Sequence, residues 1–115
     1  MIKLIISIIA FVLISFTDST KTGTASYYSN KFEGRRTATG EIFKQKKYTA
    51  ASNFFKLGSI VKVTNLINGK SVVVKINDRM HPKMARRGRI VDLTTTAANR
   101  IGKSNGLIKV NVELL

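Results

Sequence analysis

Apolar and polar residues alternate along most of this chain, but the alternation starts late. Residues 4–16 form an apolar run, with Lys3 before it and Thr17, Asp18, Ser19 and Thr20 after it. No amphipathic period breaks the run, and it is shorter than the roughly 18–20 residues that a membrane span needs. A single cation, a short apolar stretch and small polar residues in that order predict a secretory signal peptide, cut after Thr17 or Ser19. The chain then divides into a signal segment, residues 1–19, and one domain, residues 20–115.

Beyond residue 20 the pattern is mainly that of strands. "GTASYYS" (23–29) supplies small and aromatic residues for a first strand, and a polar loop with Gly34 and Gly40 follows it. In "SIVKVTN" (59–65), Val61 and Val63 alternate with Lys62 and Thr64, which predicts a half-buried strand. "SVVVKIN" (71–77) is its return strand, and Asn68-Gly69 between them predicts a tight hairpin, because both residue types tolerate positive φ. "GRIVDL" (88–93) predicts a buried strand, and "LIKVNVEL" (107–114) alternates again and closes the sheet. "TTTAANRIG" (94–102) predicts a short helix that a threonine caps and Gly102 stops. Several short strands with one or two short helices predict a mainly β fold closed into a small barrel, since closure removes exposed edges.

Charge changes the picture of what this barrel meets. Twenty Lys and Arg against six Asp and Glu give a formal charge of +14, a surface that attracts polyanions. Export through the signal segment would place it in the periplasm or cell envelope, or outside the cell. It therefore favours an acidic cell-wall polymer as partner over nucleic acid. The chain has no Cys and one His, which excludes disulfides, a thiol nucleophile, a lipid anchored on cysteine, and Cys- or His-rich metal centres. No metal, cofactor or oligomer is expected.

Acidic residues are scarce, so their positions carry information. "NDRMHPKMARRGRIVDLT" (77–94) holds five cations yet keeps two of the six acids, Asp78 and Asp92. Asp78 ends an alternating strand, where side chains project into clefts. Asp92 sits between Val91 and Leu93 ahead of the predicted helix, where it can equally bond helix amides or an arginine. Glu41 closes the polar loop beside Ile42. Asp18 falls in the tail, and Glu33 and Glu113 suit solvated surface positions. Spacing alone leaves open which of the remaining three carries chemistry.

"GTASYYS", "FEGRRTATGEIF", "TAA", "LGSIVKVTNLINGKSVVVKINDR" and "GRIVDLTTTAA" occur in this order over nearly all of residues 23–115. In them the chain resembles the rare lipoprotein A family of bacterial lytic transglycosylases. That resemblance implies a six-stranded double-psi β-barrel, related in fold to expansins and barwin-like domains. It also implies cleavage of peptidoglycan glycan strands between N-acetylmuramic acid and N-acetylglucosamine. The family's Thr-Ala-Asn-Gly-Glu segment matches residues 37–41 and implies Glu41 as a catalytic-site residue. Its Asn-Asp-Arg segment matches Asn77, Asp78 and Arg79 and implies Asp78 as the key acid/base. Its Ile-Asp-Leu-Ser segment matches residues 91–94 and implies a supporting role for Asp92. Thr37 and Asn77 are the implied substrate-binding neighbours, and Arg79 a supporting one. Two positions depart from the pattern. Ser52 stands where the family has histidine, and Met80-His81-Pro82 replaces Gly-Pro. His81 is then either a replacement imidazole or an ordinary loop residue.

The resemblance implies a reaction without water. One carboxyl protonates the leaving oxygen and then takes the proton of the sugar's own 6-hydroxyl, closing a 1,6-anhydro ring. Two-carboxylate hydrolases work differently. Asp78 is the expected acid/base, with Glu41 contacting the sugar or tuning it. Tyr28, with Tyr27 and Phe43, is expected to stack on sugar faces, and Phe54 and Phe55 to lie in the core. A guanidinium of Arg79 or Arg89 forked onto Asp78 would make it a structural ion pair instead. The alternatives are a non-catalytic, expansin-type wall-binding barrel and a cationic secreted nucleic-acid binder.

Overall fold

The computed structural model describes residues 19–103 and 105–115. The apolar run assigned to a signal segment lies outside them, as does Asp18. Six strands form one closed barrel: β1 (Thr20–Tyr27), β2 (Thr49–Ala51), β3 (Ile60–Asn65), β4 (Ser71–Asp78), β5 (Arg89–Leu93) and β6 (Ile108–Leu114). They close in the order β1-β5-β2-β4-β3-β6. Two pairs are parallel, β1 with β5 and β2 with β4, and the other four are antiparallel. Two short helices, α1 (Pro82–Arg86) and α2 (Thr95–Arg100), flank β5 in sequence. The small closed barrel expected from the alternation, with the six strands that the resemblance implied, is the fold observed.

Alternation puts one face of each strand inside. Val61 and Val63 of β3, Val72, Val74 and Ile76 of β4, Val91 and Leu93 of β5, and Val110 and Val112 of β6 fill the interior with Ala25 and Ala50. Complete burial of a side chain such as Ile76 or Leu93 contributes about 1.5–3 kcal/mol each. Ala97, Ala98 and Ile101 bring α2 onto the same core. Thr94 caps α2 as expected: its hydroxyl accepts from Ala97 N and donates to Lys47 O at 2.6 Å. A second apolar cluster of Tyr28, Phe43, Ala51 and Met80 sits apart from this core, with Phe32, Met84 and Ala85 against it.

Some local expectations change. β1 begins at Thr20 and stops at Tyr27, because the Ser29 side chain accepts from Lys31 N and starts a 3-10 turn over Asn30–Phe32. In the β3–β4 connection only Gly69 takes positive φ, at 76°. Asn68 instead donates its side-chain amide to Ile101 O, while Asn65 bonds both Gly69 N and Lys70 O. The turn is thus a longer loop anchored to the end of α2, not a two-residue hairpin. Phe55 joins the core, but Phe54 is exposed. Two elements carry no periodic signal, the three-residue strand β2 and the helix α1.

Each parallel pair contains a bulge. Thr24 pairs with Arg89 and Ala25 with Val91, so Ile90 is an extra residue in β5. Ala50 pairs with Ile76 and Ala51 with Asp78, so Asn77 is an extra residue in β4. Bulges of this kind re-aim side chains. Thr24 and Ser26, two apart on β1, share one face, and therefore so do their partners Arg89 and Asp92. By the same reasoning Thr49 and Ala51 place Lys75 and Asp78 together. The strand ends beneath are tightly packed. A Cβ on Gly23 would meet Gly88 O and an Ile90 side-chain carbon, both at 2.6 Å. Gly23→Ala is expected to destabilise the fold by about 1–3 kcal/mol through this overpacking. Thermal unfolding followed by circular dichroism checks this, and an unchanged midpoint would show that β1 and β5 can separate there without cost.

Candidate functional site

The register aligns one row of residues across four strands. Ser26 of β1 pairs with Asp92 of β5, Asp92 with Ala51 of β2, and Ala51 with Asp78 of β4. Ala51 belongs to the outer cluster, so the row lies on the outside of the barrel. The two aspartates flank a methyl group, their backbones about 9–10 Å apart at two strand spacings. Tyr28 and Phe43 pack beside Ala51, as do Met80 of the β4–α1 connection and Met84 and Ala85 at α1.

Asp78 is half-buried and held by three donors. The Tyr28 hydroxyl donates to Oδ2 at 2.8 Å, and Ala38 N and Arg79 N donate to Oδ1 at 3.0 and 2.9 Å. No cationic side chain forks onto it. The Arg79 guanidinium turns away and donates to Ser52 O and Phe55 O, at 2.5 and 2.6 Å. Among the described residues the one ion pair is Lys75 with Glu41, at 2.9 Å. The structural ion pair considered from the sequence is therefore absent at Asp78.

Tyr28 enters the site differently from expectation. Its ring is buried, 4.3 Å from that of Phe43 and edge-on to Phe32 at 5.7 Å, so it offers no face to a sugar. Burial, and then the neighbouring Asp78, push its phenol well above the ordinary value, so it stays protonated and donates. Gln45 fixes this wall. Its side chain bonds Tyr28 O, Asn30 Oδ1 and Thr95 N, joining β1, the 3-10 turn and α2.

Glu41 lies on the same outer face as Asp78, through its pairing with Lys75, but does not touch it. Lys75 and then the Thr39 hydroxyl hold its carboxyl below the usual range. The loop around it is docked on the end of β4: Thr39 N donates to Asn77 O, and Ala38 N to Asp78. Thr37 is buried and closes the turn, donating from both its amide and its hydroxyl to Glu41 O, while Gly40 takes φ 89°. Asn77 is the buried bulge residue. Ser52 is fully buried, and its hydroxyl donates to Ile90 O at 2.7 Å rather than facing Asp78. His81 caps α1, its Nδ1 accepting from Lys83 N at 3.1 Å. Asn53 clasps Met80 through both backbone groups and so fixes the start of the α1 wall.

Asp92 is the acid most altered by its surroundings. Burial pushes its carboxyl up to about 6, against a hydrogen bond from Ser26 at 3.0 Å and the attraction of Arg89, and with added repulsion from Asp78. Ser26 and Ala38 N were not singled out in the sequence. The alternation in "TASYY" places Ser26 and Tyr28 on one face and was the available signal for the first. A backbone amide leaves no signal. The raised value of Asp92 fixes a pH dependence. Below its ordinary value of 3.8, folded and unfolded chains both hold the proton, and the contribution to stability is complete. As pH rises through 6 the folded chain must ionise a buried carboxyl, and that contribution is lost. Between pH 4 and 7 the chain should lose roughly 2–3 kcal/mol relative to Asp92→Asn. Urea unfolding of both proteins at the two pH values tests this, and parallel pH profiles would contradict it.

The geometry can be set beside known proteins. The family model described as lytic transglycolase matches residues 20–112. The endolytic peptidoglycan transglycosylase RlpA of Pasteurella multocida is 48% identical over 94 residues, which cover 81% of this chain and 31% of that protein. The probable endolytic peptidoglycan transglycosylase RlpA of Synechocystis is 48% identical over 96 residues, covering 83% and 29%. The chain thus spans about a third of the length of these relatives. Among solved structures, a Streptomyces papain inhibitor superposes with a TM-score of 0.66 at 20% identity, covering 84% of this chain and 94% of the inhibitor. The expansin of Clavibacter michiganensis superposes with a TM-score of 0.62 at 20% identity, covering 84% and 50%. These two likenesses concern the fold. The match along residues 20–112, carried on a closed barrel with two bulged parallel pairs, places this chain in the lytic transglycolase family of double-psi β-barrels.

Proposed function

We propose that this barrel is an endolytic peptidoglycan transglycosylase that leaves 1,6-anhydromuramyl ends and acts in the periplasm or cell envelope. One observation carries the reading. Asp78 lies on the outer face, across Ala51 from a second carboxyl, held by neutral donors and free of any cationic clamp. The names of relatives 48% identical support the same activity.

In this mechanism a glycan strand lies across the Ser26–Asp92–Ala51–Asp78 row, over the small Ala51. Asp78 protonates the oxygen that links C1 of N-acetylmuramic acid to the next sugar, and that C1–O bond breaks. The 6-hydroxyl oxygen of the same muramyl residue bonds to C1, and its proton passes to the Asp78 carboxylate. No water is consumed, and Asp78 ends protonated for the next cycle. Tyr28, Ala38 N and Arg79 N hold the carboxyl in one orientation. Asp92, largely uncharged below about pH 6, supports the site without adding a full second charge. Glu41, fixed by Lys75, contacts the sugar from the rim, and Thr37 and Asn77 shape the loop and strand end that meet it. The +14 surface holds the protein on the anionic wall mesh.

A second reading has one observation in its favour. Ser52 replaces the histidine of the family pattern, and its hydroxyl is engaged by Ile90 O, so it supplies no imidazole chemistry. On that reading the barrel binds glycan, as an expansin-type module, without cutting it. Incubation with purified glycan strands and mass spectrometry of the products separates the two. The transglycosylase reading predicts new 1,6-anhydromuramyl ends, reduced about 10²–10⁴-fold by Asp78→Asn. Retention on glycan with no new ends would leave the binding module. Tyr28→Phe should keep the fold, lower turnover by about 10-fold, and leave glycan binding nearly unchanged, since it removes one donor to a charged group. Unaltered turnover would show that the hydroxyl does not orient Asp78.

A further inference from the structure

We propose that Arg89 is a receptor for a carboxylate carried by the bound glycan strand, an inference that rests on the glycan-cleaving reading above. Among the described residues, Arg89 Nε is the buried side-chain nitrogen left without a hydrogen-bond partner. A buried donor without an acceptor is costly, and more so when charged. The contrast with Arg79 is direct, because that guanidinium is taken up by two carbonyls.

The register says where the unmet donor lies. Arg89 pairs with Thr24, two residues before Ser26 on the same face of β1, so its backbone sits about 6–7 Å from the aspartate row. It stands on the opposite side of that row from Lys75. Both flanks of the row thus carry a cation. Lys75 is neutralised by Glu41, whereas no carboxylate lies within ion-pair distance of Arg89 among the described residues. Asp92 feels the charge of Arg89, but its Oδ1 is engaged by Ser26. The Nε itself is closed to solvent, so an incoming carboxylate meets the terminal nitrogens of this half-buried guanidinium, which have no hydrogen-bond partner among the described residues. A guanidinium is a planar fork that suits a carboxylate, and a fixed positive charge offsets the repulsion that an anionic substituent would meet beside two aspartates. Sugar hydroxyls alone would need only neutral donors. Peptidoglycan offers two sources of this chemistry: the lactyl carboxylate of a muramyl residue that lacks its stem peptide, and the carboxylates of the peptide itself.

The test uses the full chain carrying Asp78→Asn, so that ligands persist, and four defined oligosaccharides. These are a strand with free lactyl acids, its methyl ester, a peptide-bearing strand, and the same strand with its peptide carboxylates amidated. Titration calorimetry should show one acid form binding about 10–100-fold more tightly than its neutralised twin, and that twin pair identifies the source. The Nε–H resonance of Arg89 should shift with the acid and not with its twin. Arg89→Gln should abolish the difference, and Arg89→Lys should restore only part of it. Equal binding of acid and neutral forms, or an unmoved Arg89 resonance, overturns the proposal and leaves the glycan reading intact. Failure of all four ligands to bind overturns both.

Discussion

Two extra residues, Ile90 in β5 and Asn77 in β4, set the character of this protein. Without them, strict alternation would put Arg89 and Asp92 on opposite faces, and likewise Lys75 and Asp78. One inserted residue in each parallel pair reverses that phase. The result is an outer face on which two aspartates and two cations converge, while Val91, Leu93, Val74 and Ile76 still point into the core. The interior is ordinary and apolar; the chemistry is displaced to the outside by a change of register.

That displacement answers why the most basic stretch of the chain keeps two acids. Apart from Arg89, whose charge Asp92 feels, the cations around the two aspartates are directed elsewhere. Arg79 is held by carbonyls of the 52–55 segment, Lys75 by Glu41, and Lys83, Arg86 and Arg87 are exposed on or next to α1. Asp78 meets a phenol and two amides instead. These fix its position without the close cation that would commit it to an ion pair. Burial pushes the carboxyl of the second acid, Asp92, up to about 6.

Much of the fold was legible in the sequence. β3, β4, β5, β6 and α2 lie within a residue or two of where alternation and capping place them, because each buries one face against a common core. β2 was not legible in this way. Three residues are too few for a period, and Thr49–Ala51 is a strand only because β4 and β5 lie on either side of it. α1 is short and buries no residue fully, so it shows no apolar stripe. At the site, Asp78 at a strand end and Asp92 before a helix were visible as candidates. Their relation was not, because it depends on bulges, which have no signature in composition. Tyr28 was singled out for its ring, but the structure uses its hydroxyl. A buried ring stacked on Phe43 follows from tertiary packing that a local pattern cannot show.

The central claim is that glycan binds over the bulged row on the outer face. Amide chemical-shift mapping of the Asp78→Asn protein, with a glycan oligomer added, tests it most directly. Shifts should concentrate at Ser26, Ala38, Ala51 and Asp92. The surface has two grooves that do not include the row, one lined by Tyr48 and Arg100 and one by Asn68 and Leu107; shifts confined to these, with the row unmoved, would contradict it.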